Sequence, residues 1–431
     1  MGTRLHNGIA NKLRATDQPI HDWYRFVLSF PPHLVRDFLD RFGVGPGHMV
    51  LDPFCGTGTT IVECKKMGIP SRGIEAVPMS HFACSVKTEW TVDPDALRTE
   101  AQAIHDRALR RLESEGLSDV PLELRLSSEL KPLRTLPAEK MRLILKNSIS
   151  PLPLHKALLL HEEIEQSRSQ AVGHLKLAFA KAVVESASNL HFGPEVGVRK
   201  PKRDAPMLDP WLRQVRRMAE DLQDHVAQAA VPATVVFGDA RRPSAYVAPA
   251  SVDFVFTSPP YPNEKDYTRT TRLESVLLGF LADMKQLRDL KKGLLRSNTR
   301  NVYKEDDDDQ HIAEYNKVVD IAERIERRRI EMGKTSGFER LYARVTKLYF
   351  GGMYRHLADL RRVLKPGAVL AYVVGDQASY LRIMIRTGHL LAEIAESLGY
   401  TPLGIDLFRT RLATATKEQL NEEVVLLRWD G

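Results

Sequence analysis

Several features are scarce in this sequence of 431 residues. Its three cysteines, Cys55, Cys64 and Cys84, lack the paired spacing of a disulfide framework or a zinc site, so we expect no metal site. No apolar run approaches the roughly 18 residues that a membrane-spanning helix needs, and no signal peptide is recognisable. These absences predict a protein of the cytoplasm that does not engage a membrane.

The sequence also lacks internal repeats, low-complexity segments and the three-glycine pattern of dinucleotide-binding proteins. The last of these absences argues against NAD as a ligand. Hydrophobic residues make up 43% and charged residues 27% of the chain, which is typical of a globular protein with an ordinary core. The net charge of +7 suits a polyanionic partner.

The stretch Val50–Thr60, which reads VLDPFCGTGTT, predicts a strand, a tight turn and the first residues of a helix. Gly56 and Gly58 allow the backbone to turn and to approach a ligand closely. The free N–H groups at the start of the following helix favour an electron-rich or anionic group. A second strand starts at Ser71 and ends at Glu75, where a doubly wound sheet binds ribose hydroxyls. The pattern therefore predicts a cofactor that contains a nucleoside.

Two motifs resemble those of one enzyme family. Asp52–Thr60 resembles the S-adenosylmethionine-dependent methyltransferases that act on exocyclic amines of nucleic-acid bases. Ser258-Pro259-Pro260-Tyr261, which follows an apolar strand, resembles the catalytic motif of DNA amino-methyltransferases, especially of the cytosine-N4 branch. The resemblance implies S-adenosylmethionine as cofactor. It also implies an α/β fold, with a Rossmann-like seven-stranded methyltransferase sheet, helices on both faces and two largely helical insertions.

The resemblance assigns most cofactor-binding residues to the glycine turn and adds others nearby. Asp239 follows a strand and matches the acid that accepts a hydrogen bond from the adenine amine. Phe30 and Pro31 stand beside the cofactor strand where the family usually has a Lys-Pro pair, so this match is imperfect. The implied residues are Asp52, Pro53, Phe54, Cys55, Gly56, Gly58, Thr59, Thr60, Glu75, Asp239, Phe30 and Pro31.

The catalytic motif implies roles for four residues. The Ser258 hydroxyl and the Pro259 carbonyl would accept hydrogen bonds from the two amine hydrogens, Pro260 would help to fix the backbone, and Tyr261 would stack on the base. The base would have to leave the duplex first. Serine favours cytosine N4, because adenine-directed relatives more often carry Asp or Asn at this position.

Other functions remain open at this stage. They are adenine-N6 methylation of DNA, guanine-N2 methylation of tRNA, methylation of a protein glutamine and a catalytically silent DNA-binding module. The cofactor motif here precedes the catalytic motif, which reverses the common cytosine-N4 arrangement.

We divide the chain into five segments. Residues 1–90 form an N-terminal helix and the cofactor-binding half of the methyltransferase domain, and residues 91–230 form a helical insertion with possible DNA recognition. Residues 231–261 return to the sheet with the catalytic motif. Residues 262–350 form a second insertion with basic and acidic runs and possible DNA contacts. Residues 351–431 complete the sheet.

Basic residues in both insertions are candidates for contacts with DNA phosphates. One group lies in His191–Ala205, which a solvated connector would explain equally well, and follows a predicted long buried helix, Leu158–Asn189. The other group precedes the acidic run Glu305–Asp309, which we expect to be solvated or mobile. The expected partners are double-stranded DNA and a restriction or defence system. The candidate residues are Arg199, Lys200, Lys202, Arg203, Lys291, Lys292, Arg296 and Arg300.

Overall fold

A computed structural model describes residues 13–25, 29–120, 132–193, 195–263, 265–412 and 419–431. In this part of the chain, seven strands form one sheet in the order β5-β2-β1-β6-β7-β9-β8, and β3 pairs with β4 in a separate hairpin. The predicted α/β class with a Rossmann-like seven-stranded sheet is confirmed. The strands are β1 (Val50–Asp52), β2 (Ser71–Glu75), β3 (Leu190–Phe192), β4 (Val196–Val198), β5 (Ala233–Phe237), β6 (Val252–Thr257), β7 (Leu364–Gly375), β8 (Tyr400–Leu412) and β9 (Gln419–Trp429).

Helices flank the sheet and fill the two insertions. Proline occupies the first turn of α1, α3, α4 and α6, where its missing N–H costs no helical hydrogen bond. No helix in the described residues is both long and apolar enough to cross a membrane. The helices are α1 (Pro32–Arg41), α2 (Thr59–Lys66), α3 (Pro78–Thr88), α4 (Pro94–Ser114), α5 (Ala138–Leu143), α6 (Pro151–Glu165), α7 (Val172–Ala182), α8 (Leu208–Asp224), α9 (Tyr267–Thr270), α10 (Arg272–Leu277), α11 (Met284–Gly293), α12 (Asn316–Glu331), α13 (Tyr342–Leu360) and α14 (Thr387–Ser397).

The strand order brings the two sequence motifs to one edge of the sheet. β1 is fully buried and pairs in parallel with β2 on one side and with β6 on the other. β7 continues the parallel part, whereas β9 is antiparallel to both β7 and β8. The carboxyl ends of β1, β2, β5, β6 and β7 therefore share an edge, which is where ligands bind in open α/β sheets.

The first insertion lies between β2 and β5 and is largely helical. Its helices α4, α6, α7 and α8 bury apolar side chains in one core, with Trp211 fully enclosed. The predicted single helix Leu158–Asn189 is wrong, because α6 ends at Glu165 and α7 begins at Val172. In the break, Ser167 and Ser169 hydroxyls accept hydrogen bonds from nearby backbone N–H groups, which competes with helix continuation.

The second insertion lies between β6 and β7, and only part of its acidic run is exposed to solvent. Asp308 is 2% exposed, and its carboxylate accepts hydrogen bonds from Arg241 at 2.7 Å and from Arg355 at 2.5 Å. Its backbone packs on Gly351 of α13. The acidic run was expected to be solvated or mobile. Asp308 is buried instead, because Arg241 and Arg355 neutralise its carboxylate.

Gly351 provides a test of this packing. An alanine Cβ there would lie 1.8 Å from the Asp308 carbonyl oxygen, so the acidic segment would have to move. Helix propensity alone favours alanine over glycine by about 1 kcal/mol. We nevertheless expect Gly351→Ala to destabilise the protein by about 2 kcal/mol because of this overpacking. Thermal unfolding measures the effect, and Gly337→Ala, where the Cβ meets open space, is the control. An unchanged or raised melting temperature would contradict the packing.

Candidate active site

A cavity of about 640 Å³ opens at the carboxyl edge of the sheet. Gly56 and Glu75 line it from the cofactor motif, and Ser258, Pro259 and Tyr261 line it from the catalytic motif. The volume lies within the range of small-molecule sites. Two turns that are about 200 residues apart in the sequence thus share one cavity.

The glycine turn adopts a conformation that few other residues tolerate. Gly56 and Gly58 have φ values of 52° and 89°, and a Cβ on Gly58 would lie 2.5 Å from the Cys84 sulfur. Behind the turn, the buried Lys87 ammonium donates a hydrogen bond to the Thr57 carbonyl at 2.9 Å, and burial lowers its pKa to about 7. The turn is therefore held from the side opposite the cavity.

Glu75 faces the cavity from the end of β2. Its Oε2 accepts a hydrogen bond from the Gly56 N–H at 2.9 Å, and its Oε1 accepts one from the Val77 N–H at 2.7 Å. Burial raises the pKa of this carboxyl to about 7, against the opposing effect of the two N–H groups. The carboxylate both fixes the turn and keeps lone pairs free for a hydroxyl-bearing ligand.

Four predicted cofactor residues do not line the cavity: Asp52, Gly58, Thr60 and Pro31. Asp52 is fully buried, and its Oδ1 accepts hydrogen bonds from the Thr257 hydroxyl at 2.6 Å and from the Phe54 N–H at 3.1 Å. The Thr60 hydroxyl donates to the Phe256 carbonyl at 3.2 Å. Because both bonds reach β6, Asp52 and Thr60 join the cofactor motif to the strand that carries the catalytic motif. Burial raises the Asp52 pKa to about 6.

The remaining predicted cofactor residues line the cavity: Phe30, Pro53, Phe54, Cys55, Gly56, Thr59, Glu75 and Asp239. Phe30 also packs edge-on against Phe256 of β6, with ring centroids 5.5 Å apart. Asp239 lies in an ion pair with Arg241, whose Nη2 is 2.8 Å from Oδ2. An adenine amine at this position would share the carboxylate with that guanidinium.

Ser258 is oriented by the neighbouring strand. Its hydroxyl donates a hydrogen bond to the Val373 carbonyl of β7 at 2.9 Å, which leaves the oxygen lone pairs available as acceptors. The Tyr261 ring packs on Gly375 of the same strand, where an added Cβ would lie 3.0 Å from the ring. Burial raises the Tyr261 pKa, so the phenol is neutral near pH 7.

The cavity includes side chains that the motifs did not predict. Some follow Tyr261 directly, namely Asn263, Lys265 and Tyr267. Others come from the middle of the second insertion, where Asn301 is 2% exposed and its Oδ1 has no hydrogen-bond partner among the described residues. A third group, Arg409, Arg411 and Glu422, comes from β8 and β9. One sequence signal could have pointed to this third group: Arg409 and Arg411 alternate near the end of a strand, which puts both side chains on one face.

The basic candidates for DNA contact divide into two groups. Arg199, Lys200, Lys202 and Arg203 are exposed, as is Lys292, whose ammonium lies 5.4 Å from the Tyr303 ring centroid. Three others are engaged inside the protein. Arg296 is 3% exposed and paired with Asp306 at 2.7 Å, Lys291 is paired with Asp266 at 2.7 Å, and Arg300 lies 3.7 Å from Glu195. We therefore withdraw Arg296 and Lys291 as phosphate contacts, since their charges are already neutralised.

Comparisons with known proteins show which families this chain is similar to. A family model described as DNA methylase matches residues 9–79. The Type II methyltransferase M.BsoBI of Geobacillus stearothermophilus is 26% identical over 96% of this chain and 84% of its own length. The Type II methyltransferase M.AvaI of Nostoc sp. is 23% identical over 92% of this chain and 83% of its own length. The solved structure of TrmN from Thermus thermophilus aligns over 96% of this chain and 52% of its own length, with 10% identity and a TM-score of 0.29. The fold is therefore assigned from the strand order.

The matched family model and the Type II methyltransferase relatives, together with the seven-stranded sheet, support a methyltransferase whose methyl donor is S-adenosylmethionine. The comparisons confirm the predicted resemblance to the N4/N6 family of DNA amino-methyltransferases and support amino-methylation of DNA. The residues present fit the donor. Glu75 would offer a carboxylate to ribose hydroxyls, Asp239 lies at the end of the adjacent strand β5, and the left-handed Gly56 turn would allow close backbone approach. When bound, S-adenosylmethionine supplies an electrophilic methyl group on a positively charged sulfur.

Proposed function

We propose that this protein methylates the N4 amine of a cytosine that is flipped out of double-stranded DNA. The observation that carries the proposal is the shared cavity, in which Glu75 and Gly56 face the same space as Ser258 and Tyr261. A donor on one wall and an amine on the other would lie within a single water-restricted site. Such positioning removes much of the entropic barrier of a reaction between two molecules.

The chemistry follows from the acceptors on the catalytic turn. An exocyclic amine is a weak nucleophile, because its lone pair is delocalised into the base ring. Ser258 is suited to accept one amine hydrogen, since its own proton is committed to Val373. The Pro259 carbonyl would accept the other. Two acceptors favour a tetrahedral nitrogen whose lone pair points at the methyl group, and this stabilises the charge that develops during transfer.

Serine at position 258 supports cytosine over adenine. The resemblance associates serine at this position with cytosine, whereas adenine-directed relatives more often carry Asp or Asn there. Adenine N6 methylation and guanine N2 methylation of tRNA are the alternative outcomes of the test below.

Extrusion of the base is part of the proposal. A base inside a duplex cannot reach a cavity at strand ends, and flipping it costs about a few kcal/mol. Contacts to phosphates would offset that cost, and the exposed Arg199, Lys200, Lys202 and Arg203 are the proposed contacts in the first insertion. We propose DNA recognition for this insertion and DNA contact for the second. A cytoplasmic location and a restriction or defence partner are further parts of the proposal.

Affinity for DNA is expected to fall steeply with salt. If several of these cations contact phosphates, each contact adds about −0.9 to the slope of log K against log salt concentration. A slope of about −3 or steeper in fluorescence anisotropy would support the assignment. Neutralising Arg203 with glutamine should reduce the slope by about 1. A flat salt response would contradict phosphate contact.

The direct test of the function uses labelled S-adenosylmethionine with either unmethylated duplex DNA or tRNA. We expect label in DNA, with N4-methylcytosine as the product in nucleoside mass spectrometry. Sequencing of the methylated bases then identifies the recognised site. N6-methyladenine as the product would correct the target base, and label in RNA alone, or in neither, would overturn the function.

A further inference from the structure

Three cationic side chains line the cavity beside the catalytic turn, and none belongs to the predicted motifs. Lys265 follows Tyr261 by four residues, and Arg409 and Arg411 lie on one face of β8. Two carboxylates, Glu422 and Glu195, line the same space. The methyl transfer described above uses none of these five groups, so their presence at the site requires a separate explanation.

Strand pairing fixes the position of the arginines relative to the catalytic turn. Tyr261 packs on Gly375, and Gly375 is paired in register with Glu422 of β9. Glu422 is in turn paired in register with Arg409 of β8. β8 lies two strand spacings from β7, or about 10 Å, which a long arginine side chain spans in large part. The guanidinium groups therefore lie at the side of the cavity that holds Tyr261.

The cations outnumber the carboxylates that could neutralise them. Arg409 donates to one oxygen of Glu422 at 2.6 Å, and Arg411 lies 3.5 Å from the other oxygen. Glu195 is already 3.7 Å from Arg300. The Lys265 ammonium makes no hydrogen bond or ion pair within the part of the chain that the structure describes, and it lies in a half-buried position. Desolvation and the charge of Arg411 lower the Lys265 pKa, against the smaller opposing effect of the Glu422 and Glu195 carboxylates.

We infer that Lys265, Arg409 and Arg411 form a phosphate site that holds the backbone of the extruded nucleotide. The inference rests on the proposed function. A nucleotide whose base enters this cavity brings its phosphates close to the same space, which the excess positive charge lines. Arginine binds phosphate oxygens with two parallel N–H donors, and lysine adds a compact charge. Such a site favours the flipped state over the stacked one, because the phosphate reaches it only when the backbone is rotated outward.

The arrangement also explains why Glu422 lies among the cations. A carboxylate between two arginines holds both side chains in place before DNA arrives. Arg411 is 41% exposed and donates to the Asp376 carbonyl at 3.1 Å, so its guanidinium is anchored on one side and still reaches solvent. A phosphate would therefore meet a preformed group of donors, which reduces the entropy cost of binding.

The test measures DNA affinity of Arg411→Gln and Lys265→Gln across a salt series, with a duplex that carries the methylated site. Arg428→Gln is the matched control. Arg428 lies on the same hairpin at the opposite end of β9, is 43% exposed and is also paired with a carboxylate, Asp430. We expect each cavity variant to weaken DNA binding roughly tenfold and to reduce the salt slope by about 1, whereas the control leaves both unchanged. The dissociation constant for S-adenosylmethionine should stay that of the wild type.

The outcomes separate the site from the proposed function. If the wild type methylates DNA but Arg411→Gln and Lys265→Gln keep its salt slope, the phosphate site is overturned alone. Weaker binding of S-adenosylmethionine by either variant would assign these cations to the cofactor carboxylate and would also overturn it. If the wild type neither binds nor methylates duplex DNA, the proposed function fails and the site with it. If one of the two variants does not fold, the other variant still tests the phosphate site.

Discussion

Replacing Ser258 by alanine is expected to lower the turnover number about 100-fold, while S-adenosylmethionine binds as tightly as before. The change removes one of two proposed acceptors for the amine hydrogens and leaves the Pro259 carbonyl in place. The Ser258 hydroxyl donates to the Val373 carbonyl, and no hydrogen bond joins it to Gly56 or Glu75 among the described residues, so its loss is expected to leave the cofactor wall in place. Single-turnover kinetics and calorimetry with S-adenosylmethionine provide the two measurements.

Ser251→Ala is the matched control for this prediction. Ser251 precedes β6 at its other end, and its hydroxyl also donates to a backbone carbonyl, that of Ala248, at 2.7 Å. The two substitutions thus remove the same kind of bond, but only one of them at the cavity. Equal loss of turnover in both variants, or a large loss of cofactor affinity in Ser258→Ala, would contradict the role of Ser258.

Replacing Glu75 by alanine should have the opposite profile. We expect the dissociation constant of S-adenosylmethionine to rise about 10- to 100-fold, because a charged acceptor for ribose hydroxyls is lost. Turnover at saturating cofactor should change little. If the turnover loss were as large as that of Ser258→Ala, with unchanged cofactor affinity, the division of roles between the two walls would be wrong.

The pKa of Glu75 adds a dependence on pH. Burial raises this pKa to about 7, so the carboxyl is largely protonated at pH 6 and largely ionised at pH 8. Hydroxyl groups donate better to the ionised form, and cofactor binding therefore favours proton release. Affinity for S-adenosylmethionine should rise from pH 6 to pH 8 in the wild type. Glu75→Gln keeps the side-chain size and should abolish the rise. A parallel rise in that variant would assign the titration to another group.

The sequence predicted those parts of the site that depend on local backbone chemistry. The glycine turn, the acid at the end of β2 and the proline-rich turn after β6 each carry a pattern within ten residues or fewer, and all three reach the cavity. Pairing across the sheet was not readable in the same way. Asp52 was assigned to the cofactor, but its partner is Thr257, which is 205 residues away.

The remaining differences also arise from long-range contacts. The acidic run was expected in solvent because like charges repel, but Asp308 is neutralised by Arg241 and Arg355, which lie far from it in the sequence. Arg296 was expected on a DNA-facing surface, yet Asp306 holds it in the interior. The helix break after Glu165 depends on serine side chains that a hydrophobic pattern does not register.

The parallel part of the sheet has a consequence for how such chains can be rearranged. The edge that holds the cavity is defined by the direction of the strands and by which strands pair. It does not depend on the order in which the strands occur along the chain. β1 and β6 meet through register pairing and through the Asp52–Thr257 hydrogen bond, whichever of them comes earlier in the polypeptide. A circular permutation that exchanges the two halves would therefore rebuild the same cavity. The order of the cofactor and catalytic motifs along the chain is therefore not a requirement of the chemistry.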